Sequence, residues 1–527
     1  MIDIRRPLRW CFIRLERWLD VVFPPSWNPL YQLGALGFFY YWVVAVSGIY
    51  VYILFDTGAT EAYESVEFMT VEQWYLGGVM RSLHRYASDG MVLMMVVHIL
   101  REFAMGRYRG PRWFTWFTGV PVLWFVMIAG ISGYWLVWDR LAQYIALATS
   151  DWLDWLGIFG EPIARNFNAA STLDDRFFTL LTFIHVVVPL LLLLVLWIHL
   201  QRVSRPQINP KRGLAVGTMV MLLALSFWKP AVSQGPADLA QVPGELGLDW
   251  FYLGFYPLME YLSEAAVWGF AVALTLILAA LPWLPPMRKA TEGVAVVDLG
   301  NCNGCQRCAD DCPYNAITMR PRTDGLAFDL EASVNSALCT QCGICMGSCP
   351  TATPFRRRSA LIPGIELPQS SAHALRDELE SRSAELTGES AVAVFSCAHG
   401  PQVENLNLPN VVGIRLPCIA ALPPSYIDYA LSRGLAAGVF LTGCRKEDCY
   451  HRFGVDWMED RLAGERDPAL RRRVPRSRIG HAWLAEDEHK QLAQAIRDFQ
   501  TRLAALPSEG RPAAETESPR VEVGSHA

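Results

Sequence analysis

Two histidine pairs with the same separation, each in a long apolar segment, constrain the fold of this chain more than any other feature. His84 and His98 bracket "HRYASDGMVLMMVVH", and His185 and His199 bracket "HVVVPLLLLLVLWIH". In an α-helix, fourteen residues rise about 21 Å over about four turns, so both histidines of a pair face nearly the same way. Two such helices side by side would therefore offer one imidazole pair near each end.

Six segments are long and apolar enough to cross about 30 Å of hydrocarbon. They are 31–54, 76–103, 113–138, 178–203, 213–230 and 264–283. Hydrophobic residues make up 52% of the chain and charged residues 18%, which exceeds the apolar content of an ordinary soluble protein. We expect an all-α transmembrane helix bundle over 31–287. The net charge of −5 does not suggest a nucleic-acid partner.

The loops between these segments alternate in charge. Arginine and lysine concentrate in 5–17, 101–112 and 202–212, whereas 56–72 and 151–175 are acidic. Because basic loops stay on the cytoplasmic side, this pattern places both termini in the cytoplasm of a bacterial or archaeal cell, with the chain in its inner membrane.

The N-terminal residues 1–30 are rich in arginine and tryptophan and lack the apolar core of a signal peptide. They predict an amphipathic helix lying on membrane lipid. A surface helix of a soluble domain is the alternative.

Paired neutral imidazoles are suitable axial ligands for haem iron. The spacing predicts one haem between His84 and His185 on the outer side, and another between His98 and His199 on the cytoplasmic side. Four unrelated histidines at helix ends are the alternative, which the repeated spacing disfavours.

Glycines repeat the same spacing on the neighbouring predicted spans. Gly34 and Gly48 are fourteen residues apart on the first span, as are Gly119 and Gly133 on the third. A residue without Cβ lets a flat ligand approach the backbone. We therefore expect these glycines to pack against the two haems.

The chain up to about residue 283 resembles the cytochrome b of bc- and bf-type quinol oxidoreductases. "GPRWFTWFTGV" with "GISGYWLVWDRL" is similar to the family's third helix, and "PADLAQVPGELGLDWFYLGFY" to its later quinol-site region. The resemblance implies two b haems and a quinone site. The family's Pro-Glu-Trp-Tyr motif falls on "LDWF", so Asp249 inherits the proton-accepting role, beside Trp250. Gln32 stands where bf-type members attach an extra haem, and Ser204 where bc-type members often place a quinone histidine.

Two cysteine runs, "CNGCQRCADDCP" and "CTQCGICMGSCP", predict a two-[4Fe–4S] ferredoxin-like α+β domain over 292–354. Each fits C-x₂-C-x₂-C-x₃-C-P, in which the fourth cysteine ligates the other cluster. The predicted ligand sets are Cys302, Cys305, Cys308 and Cys349, and Cys339, Cys342, Cys345 and Cys312. Disulfides, which a cytoplasmic location disfavours, and zinc are the alternatives.

Three later apolar runs, "AVAVFSC", "NVVGIRLPC" and "AAGVFLTGC", each end in a cysteine. With a helical pattern between the last two, they predict a small α/β domain with a parallel sheet over 391–506. Such sheets bind ligands at the carboxyl ends of their strands. Cys397, Cys418, Cys444 and Cys449 would hold a [2Fe–2S] cluster there; structural buried thiols and zinc are the alternatives.

The remaining segments carry less chemistry. We expect a charged linker over 355–390 and a disordered tail over 507–527. Of the thirteen cysteines, only Cys11 has no predicted role.

Residues from about 391 to 485 resemble the small iron–sulfur subunit of methyl-viologen-reducing hydrogenases, through "PCIAALPPSYIDYALSRGLAAGVFLTGCRKEDCYHRFG". The family's second cysteine falls on Gly400. The resemblance implies electron exchange with a flavin-containing, heterodisulfide reductase-like subunit.

These inferences predict a membrane subunit of a quinone-dependent oxidoreductase that carries electrons between quinone and a cytoplasmic flavoprotein. An electron crossing the membrane is worth about 2.3 kcal/mol per 100 mV, so coupling to a proton-motive force is open, as is electron bifurcation. One alternative is a bc-type subunit serving a Rieske or cytochrome c partner on the outer face. Another is a redox-sensing membrane anchor. A homodimer is also left open.

Overall fold

The computed structural model describes residues 5–167, 173, 175–201, 205–284, 293–357, 361–404 and 406–506. These residues form two compact units divided near residue 287. Ser204 and the predicted tail at 507–527 lie outside the described residues.

The first unit is built from helices. They are α1 Arg5–Val22, α2 Leu33–Leu54, α3 Glu61–Glu67, α4 Val79–Ala104, α5 Trp113–Val137, α6 Arg140–Asp154, α7 Asp175–Leu200, α8 Arg212–Trp228, α9 Tyr256–Met259 and α10 Glu264–Ala280. Helix α2 packs along α4, and α5 packs along α7. Helix α5 ends at Val137, and the next residue, Trp138, has a left-handed φ of 49°. Asp139 then begins α6, because its side chain accepts a hydrogen bond from the Ala142 amide at 2.8 Å.

Four helical segments among the described residues are long and apolar enough to cross a membrane. They are Pro29–Leu54, Trp113–Val137, Asp175–Leu200 and Glu264–Trp283. These segments and their order support a multi-pass membrane protein. The other two predicted spans are also helical, but α4 carries five charged residues and α8 has only 17 residues. The prediction of six spans therefore requires that α4 and α8 also cross the membrane, together with the helices against which they pack.

The N-terminal segment forms helix α1, which exposes Trp10, Trp18 and Val21 and buries Phe12 and Glu16. The apolar exposed face is the one that an interfacial helix would turn toward lipid. Its place on a membrane surface stays a prediction.

The second unit contains sheets and short helices. Its strands are β1 Val296–Val297, β2 Ile317–Pro321, β3 Leu330–Val334, β4 Ile365–Glu366, β5 Val392–Cys397, β6 Val411–Leu416, β7 Gly438–Gly443 and β8 Ile479–Trp483. Its helices are α11 Arg307–Asp310, α12 Ile344–Gly347, α13 Ala372–Ser383, α14 Ser425–Ser432, α15 Gly454–Ala463 and α16 His489–Ala504.

The largest sheet has the order β6-β5-β7-β8, with all neighbours parallel. Strands β5, β6 and β7 coincide with the three apolar runs that end in cysteine. Residues on β5 and β7 are fully buried, as expected for central strands covered on both faces. The fourth strand, β8, was not predicted, because "IGHAW" is short and carries a histidine.

Part of the segment 355–390 is ordered, so the prediction of a linker is wrong for this part. Strand β4 pairs antiparallel with β1, which places Ile365 opposite Val297. Helix α13 begins after Ser371, whose side chain caps the helix by accepting a hydrogen bond from the Ala374 amide. The helix buries Leu375 and Leu379. Charged residues surround these apolar positions in the sequence and hide their helical spacing.

The cysteine-rich region and the parallel sheet share one hydrophobic core. Residues such as Ile344 and Met346 of α12 belong to the same buried cluster as Phe395 of β5 and Leu441 of β7. None of the described cysteines is in a disulfide. The second unit therefore holds both cysteine regions as one packed body.

Candidate redox centres

The four predicted histidines lie on α4 and α7. The ring centres of His84 and His185 are 6.3 Å apart, with the rings at 67° to each other. Two imidazoles that ligate one metal from opposite sides, with bonds of about 2 Å, have ring centres about 6 Å apart. His98 and His199 are also close enough to interact electrostatically. The structure thus brings together both predicted pairs, and the first has the separation that a shared iron requires.

Each of the four glycines faces one of these imidazoles. A Cβ added at Gly48 would lie 2.8 Å from His84 Cε1, and one at Gly133 would lie 2.9 Å from His185 Cε1. At the other pair, a Cβ at Gly119 would lie 3.3 Å from His199 Cε1, and one at Gly34 would lie 3.9 Å from His98 Cε1. The sequence predicted that the glycines pack against a flat ligand. The structure adds that the missing side chains on α2 and α5 leave room for the imidazole rings.

Hydrogen bonds fix the orientation of three imidazoles through Nδ1. The Nδ1 of His84 is 2.9 Å from the Val44 carbonyl oxygen, to which it can only donate. Ser132 Oγ lies 3.0 Å from His185 Nδ1 and donates its own hydrogen to the Ala129 carbonyl, so it accepts from the ring. With Nδ1 protonated, Nε2 is the nitrogen available to iron.

Thr118 makes the same arrangement at the other histidine pair. Its Oγ1 lies 3.2 Å from His199 Nδ1 and donates to the Phe114 carbonyl at 2.8 Å. A helix α5 hydroxyl, one residue before a glycine, therefore orients each histidine of α7. This repeat, Thr118-Gly119 and Ser132-Gly133, is visible in the sequence and was missed.

Asp249 is buried in a cluster of polar side chains, which we call the Asp249 cluster: Arg85, Asp89, Tyr134 and Asp249. Tyr134 donates to Asp249 Oδ2 at 2.5 Å, and Arg85 Nη1 lies 3.0 Å from the same oxygen. Arg85 also forms an ion pair with Asp89. The neighbouring Trp250 is 72% exposed. The predicted proton acceptor is thus held by two side chains, Tyr134 and Arg85.

Arg85 and Asp89 were not singled out from the sequence. The signal was available, because two opposite charges one turn apart inside a largely apolar helix are costly unless they are used. The guanidinium of Arg85 therefore pairs with both carboxylates of the cluster.

The first predicted cysteine set is gathered around Cys308. Burial, and then the neighbouring thiols of Cys349, Cys305 and Cys302, raise the pKa of Cys308 to about 12. Cys305 is exposed, whereas Cys308 and Cys349 are buried. Thiolates packed in this way need positive charge beside them, which the iron of a cluster provides.

The second set lines one cavity. The four thiols of Cys312, Cys339, Cys342 and Cys345 all contribute to its wall. Burial, and then the other thiols, raise the pKa of Cys342 to about 12 and that of Cys345 well above its usual value. Cys312 Sγ also accepts a hydrogen bond from the Ala316 amide at 3.2 Å. These four cysteines fit a [4Fe–4S] cluster, for which the spacing of their run is typical.

The last four cysteines lie at the carboxyl edge of the parallel sheet, and all are buried. Cys397 Sγ and Cys444 Sγ are 3.8 Å apart. A Cβ at Gly454 would lie 2.4 Å from Cys418 Sγ and 3.6 Å from Cys449 Sγ, so both thiols border the start of α15. The pKa of Cys397 is raised, first by its interaction with the Cys418 thiol.

Gly400 explains why a fifth cysteine is not accommodated. A Cβ there would lie 2.9 Å from the Gly443 carbonyl carbon, at the end of β7. The preceding residue, His399, stacks its ring on that of Tyr450, with ring centres 3.5 Å apart.

Within the described part of the chain, no three histidine, cysteine or acidic side chains are arranged to hold a single metal ion.

Comparisons with known proteins agree with the three resemblances. Residues 18–206 match the family model "Cytochrome b/b6/petB", residues 301–353 match "4Fe-4S dicluster domain", and residues 394–507 match "Methyl-viologen-reducing hydrogenase, delta subunit". The chain is also similar to a solved chain described as "Hyperthermophilic respiratory Complex III", with 18% identity and a TM-score of 0.40 over 48% of this chain and 75% of that one.

The matches identify a membrane electron-transfer subunit. Its first region is of the cytochrome b type, which binds haem b, and its cysteine runs are of the [4Fe–4S] dicluster type.

Proposed function

We propose that this chain is a quinone-dependent oxidoreductase subunit that carries electrons between membrane quinone and a cytoplasmic flavoprotein. The observation that supports it best is the presence, on one chain, of two imidazole pairs in a helical membrane unit and of three thiol groupings in one packed unit. The partner is a flavin-containing, heterodisulfide reductase-like subunit, by similarity of residues 394–507 to a hydrogenase delta subunit. Both termini face the cytoplasm.

The membrane unit would hold two b haems. His84 with His185 and His98 with His199 are the ligands, and bound haem supplies reversible one-electron chemistry there. Val44 and the two hydroxyls of α5 hold the imidazoles in the ligating tautomer. The four glycines leave room for the imidazole rings, so the membrane unit would have its haem sites formed before haem binds.

The cytoplasmic unit would hold three iron–sulfur centres. The two ferredoxin sets ligate [4Fe–4S] clusters, and Cys397, Cys418, Cys444 and Cys449 ligate a [2Fe–2S] cluster. The buried thiols exclude water from these sites, and the exposed Cys305 marks the set nearest to solvent.

Quinol chemistry would take place near Asp249 and Trp250. Asp249 Oδ2 already accepts from Tyr134 and Arg85, so the carboxylate receives a quinol proton together with Asp89 rather than alone. The exposed indole of Trp250 offers an apolar surface for a quinone ring. Tyr134 connects the carboxylate to α5, which also carries Ser132 beside His185.

A bc-type route to a Rieske or cytochrome c partner is the second candidate. The acidic loop over 56–72 favours it, because it would offer a negatively charged docking surface on the outer face. Both routes draw on the same membrane unit, and they differ only in which soluble protein oxidises or reduces it.

A haem and iron count tests the proposal. Pyridine haemochrome analysis should give two b haems per chain, and His98→Ala should remove one while leaving the iron–sulfur content unchanged. His373→Ala is the matched control, since His373 lies on α13 of the second unit and belongs to neither pair, and should lose nothing. One haem or none in the wild-type protein would exclude the proposal.

A further inference from the structure

Arg461 of α15 is the largest fully buried side chain among the described residues of the second unit. Its Nη2 donates to Asp311 Oδ2 at 2.6 Å and to Ser348 Oγ at 2.7 Å. Its Nη1 donates to the Ala420 carbonyl at 2.8 Å. A buried guanidinium is unfavourable unless such partners compensate its charge.

The three partners share one property: each lies next to a cysteine of a different predicted cluster. Asp311 precedes Cys312, Ser348 precedes Cys349, and Ala420 follows Cys418 by two residues. Gly347 of α12 lies against the same Ala420 carbonyl, with a Cβ there only 1.9 Å from its oxygen. The contacts of Arg461 thus reach one ligand loop of each of the three sites.

Arg461 belongs to a group of four charges. Asp311 is buried and pairs with both Arg461 and Arg466, while Arg466 Nε also lies 3.6 Å from Oδ2 of the more exposed Asp460. Arg466 is partly exposed, whereas Arg461 is enclosed. Charges in a low-dielectric interior act over longer distances than charges in water, so the enclosed cation has the larger effect on its surroundings.

We propose that Arg461 is a positioning residue that sets the reduction potentials of the three iron–sulfur centres together, by holding one buried positive charge between their ligand loops. This inference rests on the proposed clusters. A positive charge stabilises the extra electron of a reduced cluster and so raises its potential. A single residue of the hydrogenase-like region thereby acts on the potentials of the ferredoxin region as well as on that of its own.

A merely structural role would predict a different outcome. If Arg461 only joined the two regions, a neutral residue of similar length would reduce stability and leave the potentials of the loaded clusters unchanged. Ser348→Ala separates the two effects further, because it removes the hydrogen bonds of Ser348 Oγ with Arg461 and Asp311 and no charge. It should leave the potentials near those of the wild-type protein.

The test is a redox titration of the full-length protein, monitored by electron paramagnetic resonance, with the iron content measured in parallel. Arg461→Met should lower the midpoint potentials of all three centres, and Arg461→Lys, which keeps the charge, should lower them less. Full iron content with unchanged potentials in Arg461→Met would overturn the inference.

Arg466→Met decides the matter if Arg461→Met loses its iron. This variant removes the more exposed of the two guanidiniums that pair with Asp311. It should therefore lower the potential of the cluster bound by Cys312, by less than loss of the Arg461 charge would. No shift there would also overturn the inference. Absence of iron–sulfur signals from the wild-type protein would instead exclude the proposed function, and this inference with it.

Discussion

Replacing Gly48 by alanine should displace His84 and weaken the outer haem site. The added Cβ would lie 2.8 Å from His84 Cε1 and 3.1 Å from Nδ1, inside the 3.4 Å at which ordinary contact begins. His84 cannot easily retreat, because its Nδ1 is bonded to the Val44 carbonyl of the same helix as Gly48. Overpacking of a fitted interior costs about 1–3 kcal/mol, which corresponds to a roughly 5- to 150-fold weaker site.

Gly34→Ala on the same helix is the matched control. A Cβ there would lie 3.9 Å from His98 Cε1, which is ordinary van der Waals contact. Both variants add one methyl group to α2. Low-temperature haem spectra and titration of haem into the purified apoprotein measure the outcome. Equal haem content and affinity in the two variants would refute the packing argument.

Three further outcomes are expected. Asp249→Asn should slow haem reduction by quinol while leaving the haem spectra unchanged, and stopped-flow rates equal to wild type would refute its role. Cys444→Ser should abolish or strongly alter the [2Fe–2S] resonance and block haem reduction by the soluble partner, while quinol still reduces the haems. Stoichiometric zinc with about eight non-haem irons would instead make that site a zinc module. Leu375→Ala, in the buried face of α13, should destabilise the second unit by about 2–5 kcal/mol in denaturant unfolding, whereas a true linker would show no change.

The histidine and glycine positions could be predicted because helical periodicity is a local property. Fourteen residues return a side chain to nearly the same face whatever surrounds the helix. The cysteine groupings could be predicted for a similar reason, since the ligand spacing within each run is fixed by the cluster. These features place residues without any knowledge of which helices are neighbours.

The remaining features depend on contacts between distant parts of the chain. Arg461 lies 150 residues from Asp311, and Arg85 lies far in sequence from Asp249, so neither pairing leaves a local pattern. Helix α13 was missed because charged residues dominate its sequence, although its buried leucines are one turn apart. Tertiary packing, rather than local preference, decides each of these cases.

We propose that electrons pass between the cytoplasmic clusters and membrane quinone by way of the histidine pairs. Proteoliposomes containing quinone and the purified protein, supplied with a reduced soluble flavin, test it directly against protein-free vesicles. We expect protein-dependent quinone reduction that His98→Ala abolishes, although its iron–sulfur signals remain, and that His373→Ala leaves intact. Quinone reduction at the wild-type rate in His98→Ala would contradict it.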